Sequence, residues 1–261
     1  MKQTTALEIL KAGHNVFLTG SAGTGKTYLL NQYIDYLKER NMALAITAPT
    51  GIAASHINGM TIHSFFGIGI RESVDDWFLD SLIQKEFLHK RINKLKVLII
   101  DEISMVSPDL FHSIDKILRA FKYSDKPFGG LQLVLSGDFF QLPPISSHGN
   151  SSRFAWQAEA WKNAELKSCY LTEKFRQSDQ SLINILDEIR SGDVSEESMK
   201  VFRSCYKKEL KSDFKVTRLY THNKDVDRIN EEELELLKDK PKLFQSRDKG
   251  SKKNLAKIFK S

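Results

Sequence analysis

Cysteine is nearly missing from this 261-residue chain, which has only Cys169 and Cys205. Two thiols exclude a disulfide framework, and with no His-Glu-x-x-His pattern the usual zinc sites are excluded too. Both read as inert thiols of a reducing compartment. Long apolar runs are also lacking. The most prominent, Val97-Leu98-Ile99-Ile100, falls far short of the roughly 20 residues that a membrane helix needs. The opening Met1-Lys2-Gln3-Thr4-Thr5 leads into no signal-peptide core. An intracellular protein, cytoplasmic or in the nucleoid or nucleus, with no membrane partner, is therefore expected. Fixed-period repeats and low-complexity tracts are absent from the sequence, which excludes solenoids and linker-rich architectures.

What is there is ordinary globular composition with a lopsided charge. The formal net charge is +6, and residues 200 to 261 carry 18 Lys plus Arg against 10 Asp plus Glu. That C-terminal stretch, Lys240 to Lys260 above all, is suited to neutralising phosphates, though a solvated surface has the same composition. Short apolar runs recur at 15–19, 43–47, 96–100, 132–136 and 216–221 and read as buried strands. Amphipathic stretches of helical spacing lie between them, such as Leu29, Leu30, Tyr33, Ile34 and Leu37. This alternation predicts an α/β fold, a parallel sheet with helices on both faces. Residues 67–93 break the rhythm and read as a small insertion. A second break at 165–172 places a domain boundary between residues 168 and 169.

The predicted first strand runs into Gly20-Ser21-Ala22-Gly23-Thr24-Gly25-Lys26-Thr27, followed by a helix pattern, which satisfies G-x-x-x-x-G-K-[ST] in its required context. Backbone N–H groups of residues 20–25 and the helix N-terminus would cradle a triphosphate. Lys26 would reach the outer phosphates, and Thr27 would hold Mg²⁺. At the next apolar strand end stand Asp101 and Glu102, the first suited to hold Mg²⁺ through water and the second to deprotonate an attacking water. A third strand end, Gly137-Asp138-Phe139-Phe140-Gln141-Leu142-Pro143-Pro144, offers Gln141 as a contact for the terminal phosphate and that water. ATP and Mg²⁺ are the implied cofactors. Asn223-Lys224-Asp225-Val226 imitates a guanine-reading motif, but Val226 stands where an acid is required. GTPase is discarded on that point.

Taken in order, these motifs resemble the superfamily 1 helicases that move five-prime to three-prime, specifically the petite-integration-frequency DNA helicase family. Gln3 resembles that family's adenine-reading glutamine. Residues 47–54, Thr47-Ala48-Pro49-Thr50-Gly51-Ile52-Ala53-Ala54, and 59–67, Gly59 through Thr61, His63 and Phe65 to Gly67, resemble its DNA-contact motifs. The stretch from Ile103 to Arg119, Phe128-Gly129-Gly130, Leu171 through Arg176 to Asp179, and Glu188 to Gly192 are similar to further family segments. The resemblance implies two RecA-like P-loop domains with ATP between them and single-stranded DNA across both. It implies DNA contacts from Thr47, Pro49, Thr50, Thr61, His63 and Phe65, and an arginine finger from Arg176. His63 on its own also fits a hydrogen-bonded core histidine. The expected organisation is a first motor domain at 1–168 and the beginning of a second at 169–261, because the family's later motifs have no counterpart after Asn230. The expected activity is ATP-driven translocation and duplex or junction unwinding by a monomer, impaired in so short a chain. Two rivals remain at this point, a ring-forming ATPase that remodels proteins and a nucleotide-gated single-stranded DNA-binding module.

Overall fold

The computed structural model describes residues 1–144, 153–175, 179–207, 217–237 and 242. The chain divides into two units, Met1–Arg203 and Ser204–Ser261. In the first unit, six strands form one sheet: β1 (Val16–Gly20), β2 (Leu44–Ala48), β3 (Met60–Thr61), β4 (Val97–Ile100), β5 (Gln132–Ser136) and β6 (Lys167–Leu171). Their order is β3-β2-β4-β5-β1-β6, and every pairing is parallel.

The sequence pattern of β4 explains its central place. All four residues are buried, and the pleat sends Val97 and Ile99 to one face and Leu98 and Ile100 to the other. The Val97 face packs with α1 (Gln3–Lys11) and α2 (Lys26–Glu39), whose Ala6, Leu10, Leu29, Leu30 and Leu37 are buried there. The Leu98 face packs with α7 (Pro108–Lys122), a strongly amphipathic helix that begins at the Ser107 cap and has proline in its first turn. Helices on both faces of a parallel sheet are what the strand and helix alternation implies.

Three stretches take a form that their sequence patterns do not show. Residues 67–93 hold α5 (Asp76–Ile83) and α6 (Glu86–Ile92), and Leu82, Leu88 and Ile92 are fully buried in the main core. This stretch is therefore a packed part of the link from β3 to β4, however irregular its pattern looks. The proposed break at 165–172 is strand β6, which pairs with β1 from Val16↔Lys167 to Gly20↔Leu171. The sheet thus runs past residue 168. As an edge strand, β6 buries only Cys169 and Leu171, so its apolar signature is weak. The strand expected at 216–221 is not formed by Thr217–Tyr220, which are exposed, and Val216 lies outside the described residues.

The remaining helices are α3 (Gly51–His56), α4 (Ile62–Phe66), α8 (Glu159–Asn163), α9 (Gln180–Ser191), α10 (Glu196–Cys205) and α11 (Asn223–Glu235). The Asn223-Lys224-Asp225-Val226 run opens α11 in the second unit. Most of the basic C-terminal stretch lies outside the described residues.

Candidate functional site

Parallel register lines up the C-terminal ends of the central strands, with Thr47 opposite Ile100, Ile100 opposite Leu135, and Leu18 opposite Ser136. The segments that follow β1, β4 and β5 therefore emerge along one edge of the sheet, where α/β sheets bind ligands. After β1 comes the loop at 20–25. Gly25 closes it with φ +80 as the cap of α2, a left-handed conformation that favours glycine. Gln3 donates from Nε2 to the carbonyls of Thr24 at 3.1 Å and Gly25 at 3.5 Å, and Thr24 donates from Oγ1 to Ser21 O. Lys26 Nζ donates to Gly20 O at 2.8 Å and Ser21 O at 3.2 Å, which folds its side chain back over the loop.

Lys26, Thr27, Glu102 and Gln141 line one cavity of about 440 Å³ together with Gly23 and Phe175. Asp101 is buried beside it, and its amide donates to Thr47 O at the end of β2. Glu102 occupies the left-handed region with φ 52, a conformation that costs a non-glycine residue roughly 1 kcal/mol or more and turns the chain sharply after β4. Burial pushes the Asp101 carboxyl above the usual range, against the Ser136 hydroxyl, the Glu102 amide and the Lys26 ammonium, which favour ionisation. Burial also raises Glu102, and neighbouring Asp101 adds to the rise while Lys26 opposes it. Lys26 is lowered by burial, with Asp138, Glu102 and Asp101 pulling the other way. A raised carboxylate facing a buried ammonium is an arrangement suited to proton abstraction. Thr27 hydroxyl and Asp101 carboxylate are hard oxygen donors that fit Mg²⁺, an ion that takes few protein ligands and completes its shell with water and phosphate. Among the described residues no cluster of three or more His, Cys, Asp or Glu forms a protein cage for a metal.

Of the residues expected to touch DNA, Pro49, Thr50, Thr61 and His63 line a second cavity of about 420 Å³, beside Met105 and Ile70. Thr50 and Thr61 cap α3 and α4, their Oγ1 atoms each accepting a backbone N–H at 3.2 Å. Each hydroxyl proton remains to be donated. Two of the expected residues are buried away from this cavity. Thr47 is fully buried in the sheet, and its hydroxyl donates to Ile99 O at 2.9 Å, so it presents nothing to a ligand. Phe65 is 6% exposed and sits edge-to-face on Phe66 in the main core, so neither ring offers a face for a base. Arg176 lies outside the described residues. Its neighbour Phe175 donates its amide to Gly23 O, which carries this segment past the phosphate loop.

One residue of the region had no role in the sequence reading. Arg190 on α9 forms a two-pronged ion pair with Asp138, at 2.7 and 2.8 Å, with both side chains largely buried. The available signal was an acid following the buried strand β5, which requires a counter-charge.

The model of PIF1-like helicases matches residues 2–200. The ATP-dependent DNA helicase Pif1 of Psychrobacter sp. (strain PRwf-1) is 46% identical over 100% of this chain and 41% of its own length. Human ATP-dependent DNA helicase PIF1 is 38% identical over 95% of this chain and 38% of its own. Among solved structures, Pif1 helicase from Candida albicans superposes with a TM-score of 0.84 at 33% identity, covering 99% of this chain and 60% of that one. Pif1 from Bacteroides in complex with ADP-AlF3 and single-stranded DNA gives 0.78 at 33% identity over 91% and 57%. The chain spans about two-fifths of the length of these curated relatives. With its parallel sheet, phosphate loop and family match over residues 2–200, this RecA-like α/β chain belongs to the PIF1-like helicase family.

Proposed function

We propose that the chain carries the ATP-hydrolysing part of a DNA helicase that moves five-prime to three-prime on single-stranded DNA, with a second motor domain beginning after β6. The observation that carries the reading is the meeting of Lys26, Thr27, Glu102 and Gln141 on one cavity at the C-terminal edge of the sheet. In this reading the N–H groups of 20–25 and the α2 N-terminus bind the phosphates, and Lys26 neutralises charge developing on the outer ones. Gln3, bonded to Thr24 and Gly25, marks the adenine end of the site. Glu102 takes the proton of the attacking water, and Gln141 orients that water. Thr27 and, through water, Asp101 would hold Mg²⁺, which would neutralise phosphate charge when bound. Arg176 is assigned the arginine-finger role.

DNA follows the second cavity, with the Thr50 and Thr61 hydroxyls donating to phosphates and His63 beside them. Bacteroides Pif1 bound to single-stranded DNA, and a pair of Pif1 helicases at forked duplex DNA, are the relatives that support this partner. A ring-forming remodeller shares the phosphate loop but not the match to PIF1-like helicases. Binding and chemistry should separate in two variants. Lys26→Ala is expected to lose nucleotide binding, measured with a fluorescent ATP analogue. Glu102→Gln should bind as tightly as the unmutated chain and hydrolyse roughly 10² to 10⁴ times more slowly. Unchanged hydrolysis by Glu102→Gln would remove the assigned base.

A further inference from the structure

Asp138 collects four hydrogen bonds at the rim of the phosphate site. Arg190 Nη1 and Nη2 donate to its two oxygens at 2.7 and 2.8 Å, Gln141 Nε2 donates to Oδ2 at 3.1 Å, and the Phe140 amide donates to Oδ1 at 3.2 Å. The Arg190 guanidinium also lies over the Phe140 ring, 4.3 Å from its centre. Ser21, Ala22, Gln141, Leu186 and Arg190 enclose a cavity of about 220 Å³ between α9 and the phosphate loop. A second ion pair, Lys174 with Asp187, ties the other side of α9 to the segment leaving β6. The helix is thus held at the nucleotide site by charge more than by apolar packing, since Ile185 is its one buried residue.

With the Gln141 amide nitrogen committed to Asp138, its Oε1 is left as the acceptor for a water proton. The direction of that acceptor depends on the Asp138 carboxylate, whose plane is fixed by the forked guanidinium. We infer that Arg190 is a positioning residue for ATP hydrolysis: acting through Asp138, it sets the orientation of Gln141, so that displacement of α9 is felt at the terminal phosphate. The inference rests on the ATPase reading above. It makes α9, an element expected to move with the second motor domain, the lever through which that domain reports to the chemistry.

A double-mutant cycle on the full protein tests it, with oligothymidylate as the DNA probe. Arg190→Met should slow ATP turnover about 10- to 100-fold, the cost of a small misplacement of a reacting group, while the Kd for ATP changes by less than about twofold. In a Gln141→Ala background the same substitution should add nothing, because its effect passes through Gln141. Arg190→Lys keeps the charge over buried Asp138 but loses the fork, so it should fold where the methionine variant fails and show the same non-additivity with a smaller loss. Full additivity in either series, or turnover unchanged in both, overturns the inference. Absence of turnover in the unmutated protein sinks the ATPase reading instead. The positioning claim is then decided by the Gln141 side-chain amide resonance, which should shift in Arg190→Lys and Arg190→Met, while an unmoved resonance contradicts it.

Discussion

Glu102 shows what a single residue adds to the motif that names it. Burial and the Asp101 charge both disfavour its ionised form, so its carboxyl titrates above the 4.5 of an ordinary glutamate. As the proposed base it must be ionised to work. The acid limb of kcat against pH should therefore fall above pH 4.5, and Glu102→Asp should keep a limb of this kind at reduced rate. A limb at or below 4.5 would mean that the burial seen here does not govern the reacting state. The phosphate-loop residues and both acids were legible in the sequence, because each stands in a fixed relation to a buried strand. Thr47 and Phe65 were not. A DNA-contact motif reveals neither which side of β2 a threonine occupies nor which face of a short helix a phenylalanine takes. Those choices are made by the Thr47 bond to Ile99 O and by the Phe65 contact with Phe66.

Among the elements, α4 with its cap Thr61 combines core residues with proposed DNA-binding ones. Ile62, Phe65 and Phe66 are buried, while Thr61 and His63 line the candidate DNA cavity. Arg91 of α6 donates to Ser64 O at 3.2 Å and Phe65 O at 2.6 Å and closes the end of this helix. Substitutions on its two faces should separate. Phe65→Ala is expected to destabilise the fold by about 3 to 5 kcal/mol, read as a lowered denaturation midpoint. Thr61→Ala with His63→Ala should weaken binding of a single-stranded oligonucleotide and leave ATP affinity unchanged, at a cap cost of about 1 kcal/mol. Unaltered DNA affinity in that pair would remove α4 from the DNA path. The central strands were legible because burial on both faces makes continuous apolar runs. The edge strand β6 looks like a boundary in the sequence, since Lys167, Ser168 and Tyr170 face solvent.

At the scale of the molecule, the carboxylates at the sheet edge respond to acid in opposite senses. For Asp138, burial disfavours ionisation, but Arg190, Gln141 and the Phe140 amide outweigh it and hold the folded value below the ordinary 3.8. The unfolded chain then takes the proton more readily. The stability from this pair is complete above about pH 4 and is lost as pH falls through the lower folded value. Asp101 and Glu102 are raised, so the folded chain takes their protons more readily and mild acid relieves part of their cost. Replacing the pair together, Asp138→Asn with Arg190→Met, should flatten the loss of stability below about pH 4 in denaturant titrations, and an unchanged slope would show that the pair contributes nothing there.

A second motor domain is expected from the resemblance and proposed to begin after β6. The first unit holds the six-stranded sheet, whereas the second unit has α11 with no buried residue and no strand among its described residues. In the proposed function, ATP bound at the phosphate loop is hydrolysed by Glu102 under the control of single-stranded DNA in the second cavity. The most direct measurement is steady-state ATP hydrolysis with and without oligothymidylate, by the unmutated protein and by Glu102→Gln, over a series of salt concentrations. Turnover should rise with DNA, the half-point of that stimulation should move to higher DNA concentration as salt rises, and Glu102→Gln should show no stimulation. Hydrolysis indifferent to DNA, or equal in the two proteins, would contradict it.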